Sequence, residues 1–168
     1  MAHHAPQRSA LGWLFVAAQI VLVAALLAEL RRVWHASPLR RSAGGLLASL
    51  GVVLMAAAGV QLGRSLHPHP APAAATKLRA DGLYRHVRHP IYAGLLLWAV
   101  GTALTAGTAR AATAFAALLA LLALKAPYEE RQLASRFPEY AAYARRTPRW
   151  FPRLRLARIP GPLDDTWK

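Results

Sequence analysis

The sequence contains no cysteine and very few acidic residues: only 7 of its 168 residues are Asp or Glu. Without cysteine the chain has no disulfide, no thiolate nucleophile and no cysteine-ligated zinc or iron–sulfur site. All charged residues together make up 17% of the chain, below the ~25% of an ordinary soluble domain. Hydrophobic residues make up 55%, far more than in a disordered chain. These values argue against a soluble enzyme, a disordered protein and a disulfide-bonded secreted module.

The charges that are present are mostly positive. Lys and Arg number 21, which gives a formal net charge of +14, while the mean hydropathy is +0.25. A chain that is both apolar and basic must keep its charges apart from its apolar segments. This combination is typical of an integral membrane protein with basic segments beside the bilayer. We expect these segments to bind anionic lipid headgroups and not nucleic acid, because the basic C-terminal segment follows directly on an apolar run.

Uninterrupted apolar segments are the strongest feature of the sequence. The first has only Gln19 and Glu29 as polar members and, at 1.5 Å per residue, is about 30 Å long. A signal peptide would have an apolar core of only about 7–15 residues, so we expect an uncleaved membrane helix. A short turn at Gly107 separates the last two segments, which predicts a helical hairpin with both open ends on one side of the membrane. The four segments are 11–30, 43–63, 90–107 and 110–126.

We therefore predict an all-α polytopic integral membrane protein with about four transmembrane helices and a C-terminal interfacial amphipathic helix. Leu133, Phe137, Tyr140 and Ala144 lie at helical spacing and predict that last helix, which Pro138 should break or restart. The predicted organisation is a tail over 1–10, two transmembrane helices over 11–63, a cytoplasmic loop over 64–89, a transmembrane hairpin over 90–126 and a basic cytoplasmic segment over 127–168.

The distribution of charge predicts the orientation. With a cytoplasmic N-terminus, only five of the basic residues lie on the far side, in agreement with the positive-inside rule. Four of these residues lie in the loop between the first two apolar segments, and they fit this rule less well. Alternatively, these four arginines flank a second apolar segment that is tilted or only half-buried. A high content of Ala, Arg and Pro indicates a GC-rich bacterial genome and therefore the inner membrane. The five residues are Arg31, Arg32, Arg40, Arg41 and Arg110.

Two polar clusters lie at the open ends of the predicted hairpin, where its antiparallel helices bring them together. Ionisable residues at a bilayer boundary are costly to desolvate, so the clusters form either a structural ion-pair network or a ligand pocket. Their cations, carboxylates and aromatic faces match a zwitterionic ligand with an aromatic base, such as S-adenosylmethionine. The first cluster contains Tyr84, Arg88, His89 and Tyr92, and the second contains Lys125, Tyr128, Glu129 and Glu130.

Other chemistries have little support in the sequence. No Ser/His/Asp arrangement for nucleophilic catalysis occurs in the sequence. His67 and His69 are separated by one residue but lie in a proline-rich stretch without a third ligand nearby. We interpret this stretch as a solvated linker and predict no metal site.

The ordered motifs of the second half resemble the isoprenylcysteine carboxyl methyltransferase family, which belongs to a wider group of integral membrane methyltransferases that includes the phospholipid methyltransferases. The resemblance covers about residues 76–152, and the first two segments match only as generic membrane helices. The motifs are Gly82-Leu-Tyr84, Arg88-His89-Pro90-x-Tyr92-x-Gly94, Glu129-Glu130-x-x-Leu133, Phe137 with Tyr140-x-x-Tyr143, and then Arg149 and Pro152.

The resemblance implies an S-adenosylmethionine site open to the cytoplasm and a lipophilic acceptor that arrives from the bilayer. Lys125 stands where the family has a substrate-side arginine, which keeps the charge but loses the bidentate fork. Tyr92-Ala-Gly94 favours the carboxyl methyltransferase branch over the phospholipid branch, which has Gly-x-Gly there. Pro138 replaces the usual glycine after Phe137. The implied cofactor contacts are Leu78, in the segment from Thr76 to Arg79, and Tyr84, Arg88, His89, Pro90, Ile91, Tyr92 and Glu129.

The sequence leaves several alternatives open. Glu130 is the first candidate for a general base if the acceptor is an amine, whereas a carboxylate or thiolate acceptor needs no base. A sterol-type membrane reductase that uses NADPH is a second enzymatic hypothesis. A non-enzymatic, lipid-binding scaffold is a third, and it predicts that Arg88, His89 and Glu129 are replaceable. The sequence determines neither the methyl acceptor nor the oligomeric state.

Overall fold

The computed structural model describes residues 10–63 and 77–152, which form an all-α structure without strands in those ranges. The N-terminal tail, the stretch with His67 and His69, Thr76 and the basic residues from Arg153 onward lie outside the described residues. The helices are α1 (Ala10–Glu29), a 3₁₀ helix (Leu30–His35), α2 (Pro38–Leu62), α3 (Leu83–His86), α4 (Pro90–Ala106), α5 (Ala109–Arg136) and α6 (Tyr140–Arg146).

Four of these helices correspond to the four apolar segments. Three are long and apolar enough to cross a membrane: α1 with its 3₁₀ extension, α2 and α5. The fourth, α4, is apolar but has only 17 residues. The structure thus confirms the prediction of an all-α polytopic membrane protein.

The main difference from the sequence prediction concerns α5. It continues through Pro127 to Arg136 instead of ending near residue 126, so Leu133 belongs to the membrane-spanning helix. The helix ends at Phe137, whose backbone is extended (φ −117°, ψ 103°), because a residue before proline disfavours the helical conformation. Only the short α6 remains of the predicted separate amphipathic helix. Hydropathy ended the predicted span too early because polar side chains do not interrupt helical hydrogen bonding.

Glycines allow α2 and α4 to pack closely. Gly44 and Gly51 of α2 face Gly101 and Gly94 of α4, and the two glycines on each helix recur at heptad spacing. A Cβ added at Gly51 would lie 2.5 Å from the carbonyl oxygen of Gly94 and would also overlap the backbone nitrogen of Trp98. Small residues at such positions are the usual means of close helix approach in a bilayer, where apolar surface alone does not drive association.

The opposite face of α4 forms the core with α1 and α5. α4 is therefore enclosed by α2 on one side and by α1 and α5 on the other, whereas α1 and α2 expose large apolar side chains, as expected for surfaces that contact lipid. The core residues are Leu26 of α1, Tyr92, Leu95, Leu96 and Ala99 of α4, and Ala114, Leu118, Leu122 and Ala126 of α5.

Two arginines between the first two apolar segments make polar contacts at the end of the bundle opposite the predicted site. The Nε atom of Arg40 donates to the carbonyl oxygen of Leu104 at 3.2 Å, at the C-terminus of α4, where a cation is favoured by the helix dipole. Glu29 accepts a hydrogen bond from Thr108 Oγ1 at 2.9 Å and pairs with Arg32 at 3.3 Å. These arginines thus stabilise helix ends as well as contributing to the charge balance.

The α2–α4 contact predicts different outcomes for two neighbouring Gly→Ala substitutions. Gly51→Ala should destabilise the protein by about 1–3 kcal/mol, because the added methyl group meets backbone atoms of α4 that cannot move aside independently. Gly45→Ala is the matched control, since a Cβ there has no atom within 4 Å. Thermal unfolding in detergent should show a lower Tm for Gly51→Ala and an unchanged or higher Tm for Gly45→Ala. Equal Tm values would contradict the close packing.

Candidate active site

The two polar clusters meet at the open end of the α4–α5 hairpin, as predicted. His89 directly precedes α4, Tyr92 lies in its first turn, and Glu129 and Glu130 lie near the end of α5. Tyr92 Oη donates to Glu129 Oε1 at 2.6 Å, and His89 Nε2 lies 3.0 Å from Glu130 Oε1. These contacts join residues about forty positions apart in the sequence, so the hairpin topology creates them.

Glu130 is the centre of an ion-pair network, which we call the Glu130 network and which consists of Glu130, Arg88, His89 and Arg149. Arg149 donates from Nε to Glu130 Oε1 at 2.9 Å and from Nη2 to Oε2 at 2.8 Å, a bidentate pair. Arg88 Nη2 lies 3.5 Å from Oε1. Both carboxylate oxygens are therefore engaged, which suits a positioning role better than proton abstraction. The role of Glu130 as a base stays a prediction.

The chain after α6 closes over the hairpin mouth. The backbone N–H groups of Arg88 and His89 donate to the carbonyl oxygens of Pro148 and Arg149 at 2.8 and 3.0 Å. Tyr143 Oη donates to the carbonyl oxygen of Tyr84 at 2.6 Å. Residues 143–149 thus belong to the site, because they hold the segment that carries Arg88 and His89.

Burial extends to higher pH the range over which the tyrosines of this region stay neutral. It raises the pKa of Tyr84 and of Tyr140 to about 12, and it raises the pKa of Tyr143 further. The hydrogen bond to Glu130 raises the pKa of Arg149. At physiological pH the site therefore presents neutral hydroxyl groups around a paired guanidinium.

Glu129 differs from Glu130 in having unused acceptor capacity. Its Oε1 accepts from Tyr92 and lies 3.9 Å from Lys125 Nζ, while its Oε2 has His89 Nδ1 at 3.9 Å, beyond hydrogen-bonding distance. Lys125 itself is buried, with a side chain only 5% exposed. Its Nζ donates to Gln19 Oε1 of α1 at 2.8 Å and lies 5.4 Å from the centroid of the Tyr92 ring.

The segment with Leu78 lies next to the end of α2, where Gln61 holds it. Arg79 donates from Nε to the Gln61 carbonyl oxygen at 2.9 Å and also from Nη2, and the N–H group of Leu83 donates to Gln61 Oε1 at 2.9 Å. Gly82 adopts φ +54° in this turn, which suits glycine. Tyr84 Oη donates to the carbonyl oxygen of Ala58 at 3.4 Å, so this hydroxyl is directed at α2.

The remaining predicted positions lie where α4 begins. Pro90 is fully buried at the first position of α4, and Ile91 is partly buried against the core cluster. Tyr128, the third aromatic residue of the predicted clusters, instead packs on Phe15 of α1, with ring centroids 5.5 Å apart. The structure thus brings Arg88, His89 and Tyr92 together with Lys125, Glu129 and Glu130. Tyr84 instead contacts α2, and so does Arg79, the residue next to Leu78.

A comparison with known families identifies the family and the region of the chain that matches it. The sequence profile of the Isoprenylcysteine carboxyl methyltransferase (ICMT) family matches residues 45–135, more than half of the chain. The chain belongs to this family. The match begins earlier than the motif resemblance and includes most of α2, with Gly51 but not Gly44, and it ends before α6. α1 and the segment that carries Arg149 lie outside it.

Three curated relatives are similar to about half of the chain. Cobalt-zinc-cadmium resistance protein CzcN of Cupriavidus metallidurans is 44% identical over 91 residues, 54% of this chain. Protein-S-isoprenylcysteine O-methyltransferase B of Arabidopsis thaliana is 33% identical over 78 residues, 45% of this chain. Nickel-cobalt-cadmium resistance protein NccN of Alcaligenes xylosoxydans xylosoxydans is 34% identical over 85 residues, 50% of this chain. The aligned part spans 40% of the length of each relative.

Sequence reasoning missed two glutamines: Gln19 joins α1 to α5, and Gln61 joins α2 to the segment before α4. Gln19 is the polar residue in the middle of an apolar run, and Gln61 is the only polar side chain in the last turns of α2. An isolated amide in an apolar helix signals a polar partner elsewhere, but the sequence does not say which one. Arg149 was part of the motif, yet its pairing with Glu130 was not predicted.

Arg149→Lys should loosen the chain that closes the site. Lysine keeps the charge but cannot make both parallel hydrogen bonds to Glu130, and because Arg149 is partly exposed the loss should be about 1 kcal/mol. Hydrogen exchange should then be about fivefold faster at the amides of Arg88 and His89, which donate to residues 148 and 149. Arg145→Lys, at an exposed position of α6, is the control. Unchanged exchange would show that the bidentate pair does not hold this segment.

The buried tyrosines predict a loss of stability at alkaline pH. The pKa of Tyr84 is about 12 in the folded protein and near 10 in the unfolded chain, so the unfolded state releases its proton first. The stability that this group contributes is complete below pH 10 and is lost as the pH rises towards 12. The Tm should fall across this range, and less steeply in Tyr84→Phe, which has no phenol to ionise. An identical slope for both proteins would contradict the burial of this hydroxyl.

Proposed function

We propose that the protein is a membrane methyltransferase that uses S-adenosylmethionine and modifies a lipophilic acceptor. The observation that carries the proposal is the Glu129 carboxylate, which is held by Tyr92, faces His89 and keeps one oxygen without a hydrogen bond among the described residues. These three residues are among those for which the ICMT resemblance implies cofactor contacts. The Arabidopsis relative, named as an isoprenylcysteine O-methyltransferase, supports the same reaction class.

The groups at the site fit the chemistry of that cofactor. Glu129 Oε2 is an acceptor for an ammonium or a ribose hydroxyl. Arg88 Nε and Trp150 Nε1 are buried donors without a hydrogen-bond partner within the described residues, and they suit a carboxylate. His89 and Tyr92 stack with ring centroids 5.2 Å apart and an interplanar angle of 5°, which provides a flat surface beside Glu129. A zwitterion with an aromatic base can bind all three kinds of group: the carboxylate, the buried donors and the flat aromatic surface.

The mechanism assigns binding and orientation to the protein. S-adenosylmethionine supplies a methyl group that its sulfonium already activates. Glu129 and Arg88 would bind the charged ends of the cofactor, while the Glu130 network holds residues 148 and 149 across the site and excludes water. Lys125 would orient an anionic acceptor, because its ammonium is buried next to the Tyr92 ring. An ionised carboxylate or thiolate acceptor needs no general base, which agrees with the complete pairing of Glu130 by Arg149.

We further propose that the site faces the cytoplasm in a bacterial inner membrane. The basic residues of α6 and the following segment support this orientation through the positive-inside rule, and Arg145 and Arg146 are exposed where anionic headgroups could bind them. Metal resistance occurs in the names of two relatives. Across residues 10–63 and 77–152 no group of three metal-ligating side chains occurs, and the prediction of no metal site stays a prediction.

Calorimetric binding of S-adenosylmethionine and S-adenosylhomocysteine to the purified full chain, in detergent and in lipid nanodiscs, tests the function. Glu129→Gln keeps the size of the side chain but removes its charge, so we expect it to weaken binding at least about tenfold. Glu139→Gln is the matched control, because Glu139 is exposed outside the site. It should leave binding within about twofold of the wild type.

The same experiment separates the alternatives. A folded wild-type sample that binds neither ligand in either environment would overturn the proposal. Saturable binding of NADPH would then favour a membrane reductase. Binding of neither cofactor, with Arg88, His89 and Glu129 all replaceable without loss of function, would favour a lipid-binding scaffold.

A further inference from the structure

The end of the helix bundle opposite the candidate site is strongly basic. It consists of the 3₁₀ helix, the start of α2 and the turn between α4 and α5. Hydrogen bonds join these parts: Glu29 Oε2 accepts from Thr108 Oγ1 at 2.9 Å, and Arg40 Nε donates to the C-terminus of α4 at 3.2 Å. Residues 29–41 and 104–112 contain five arginines and a single carboxylate, that of Glu29. One arginine already pairs with this carboxylate at 3.3 Å, so the positive charge exceeds the negative charge in these two ranges.

Contacts within the bundle explain two of the five arginines. Arg32 pairs with the carboxylate, and Arg40 binds the end of α4, where the helix dipole favours a cation. Arg41 and Arg110 are exposed in the first turns of α2 and α5, where the dipole disfavours a cation, so they do not stabilise these helices. Arg31 is exposed as well, although its Nε donates to a carbonyl oxygen of α1 at 3.2 Å. An anion from outside the bundle would offset the charge of these three residues.

Two large apolar side chains are exposed beside these arginines. Trp34 of the 3₁₀ helix and Leu39 of α2 are each 79% exposed, one on either side of the short connection between the two helices. A 3₁₀ helix has three residues per turn, which places Trp34 on the same face as Arg31. Such side chains are unfavourable in water but suit the bilayer interface, where the indole of tryptophan lies at the level of the headgroups. This end of the bundle therefore fits a ligand that has an anionic group next to apolar chains.

We propose that these residues bind the headgroup of an anionic phospholipid in the leaflet that this end of the bundle touches. The guanidinium groups donate to the phosphate oxygens, while the indole and the leucine side chain lie between the first segments of the acyl chains. A soluble anion has no chains to cover the two apolar side chains. We call this site the far-end surface, and it consists of Arg31, Trp34, Leu39, Arg41 and Arg110.

The far-end surface has a role separate from that of the candidate active site. It lies at the opposite end of the bundle from Arg145 and Arg146 of α6, and it depends on neither the cofactor nor the methyl acceptor. It also gives a reason for arginines in the connection between α1 and α2, where the positive-inside rule predicts few if the site faces the cytoplasm.

Quenching of Trp34 fluorescence by brominated lipid tests the inference. The full chain is reconstituted into phosphatidylcholine bilayers with a minor share of phosphatidylglycerol, and either the phosphatidylglycerol or an equal amount of the phosphatidylcholine carries brominated acyl chains. Both preparations have the same charge and bromine content, so only the headgroup attached to the quencher differs. The chain has five tryptophans, and the difference between the wild type and Trp34→Phe isolates the signal of Trp34. We expect brominated phosphatidylglycerol to quench Trp34 at least about twofold more strongly than brominated phosphatidylcholine.

Two triple variants with the same change in net charge show whether the far-end arginines cause this preference. The far-end variant should lower the ratio of the two quenching values to about one, because it removes the phosphate donors. The control variant replaces three exposed arginines at the other end of the bundle and should keep the ratio of the wild type. Arg41→Gln and Arg110→Gln, tested singly, should each lower the ratio, which keeps the test decisive if the triple variant does not fold. The far-end variant is Arg31→Gln, Arg41→Gln and Arg110→Gln, and the control is Arg131→Gln, Arg145→Gln and Arg146→Gln.

Three results would overturn the inference. The first is equal quenching of Trp34 by both brominated lipids in the wild type. The second is a preference that the single and triple far-end variants retain, or that the control variant loses equally, since the latter would be a general effect of net charge. The third is complete removal of the preference by millimolar inorganic phosphate, which would assign the far-end surface to a soluble anion. None of these results bears on binding of S-adenosylmethionine, which is measured separately.

Discussion

The carboxylate of Glu130 joins three parts of the chain that are distant in sequence: the end of α5, the residues before α4 and the segment after α6. Arg149 occupies both of its oxygens, His89 lies at 3.0 Å and Arg88 at 3.5 Å. Removing one partner from such a partly buried group leaves another charge without compensation, so these residues must act together. The position of His89 depends on this network. The placement of His89 next to Glu129 therefore depends on it as well.

The Glu130 network can form only because α4 is placed correctly between its neighbours. Gly44 and Gly51 bring α2 against one face of α4, which leaves the opposite face to α1 and α5. Although α4 is the shortest of the four apolar helices, it has more buried residues than any other helix of the described chain. Its glycine face sets the distance between helices, and the start of the same helix carries Tyr92 into the site. The same helix, α4, therefore sets the distance to α2 and carries a residue of the candidate site.

The site divides into two halves at the ring of Tyr92. On one half, Glu129 is the carboxylate with an unused oxygen, which suits the cationic and hydroxyl groups of the proposed cofactor. On the other half, the buried ammonium of Lys125 lies over the ring of Tyr92 and donates to Gln19 of α1. The proposed methyl transfer would need cofactor and acceptor held in line, and groups of opposite charge on the two sides of this ring would suit that arrangement.

Local patterns in the sequence determined the all-α membrane architecture, the four apolar helices and the meeting of Arg88, His89 and Tyr92 with Glu129 and Glu130. Hydropathy and a short turn suffice for this, because helices joined by a turn must run side by side. Tertiary structure alone decided that α5 continues through Pro127, that Arg149 pairs with both oxygens of Glu130 and that Gln19 is the partner of Lys125, 106 positions away. Such contacts depend on how apolar helices rotate and pack against one another. Their surfaces are alike in hydropathy, so only the packing of the whole bundle selects the partners.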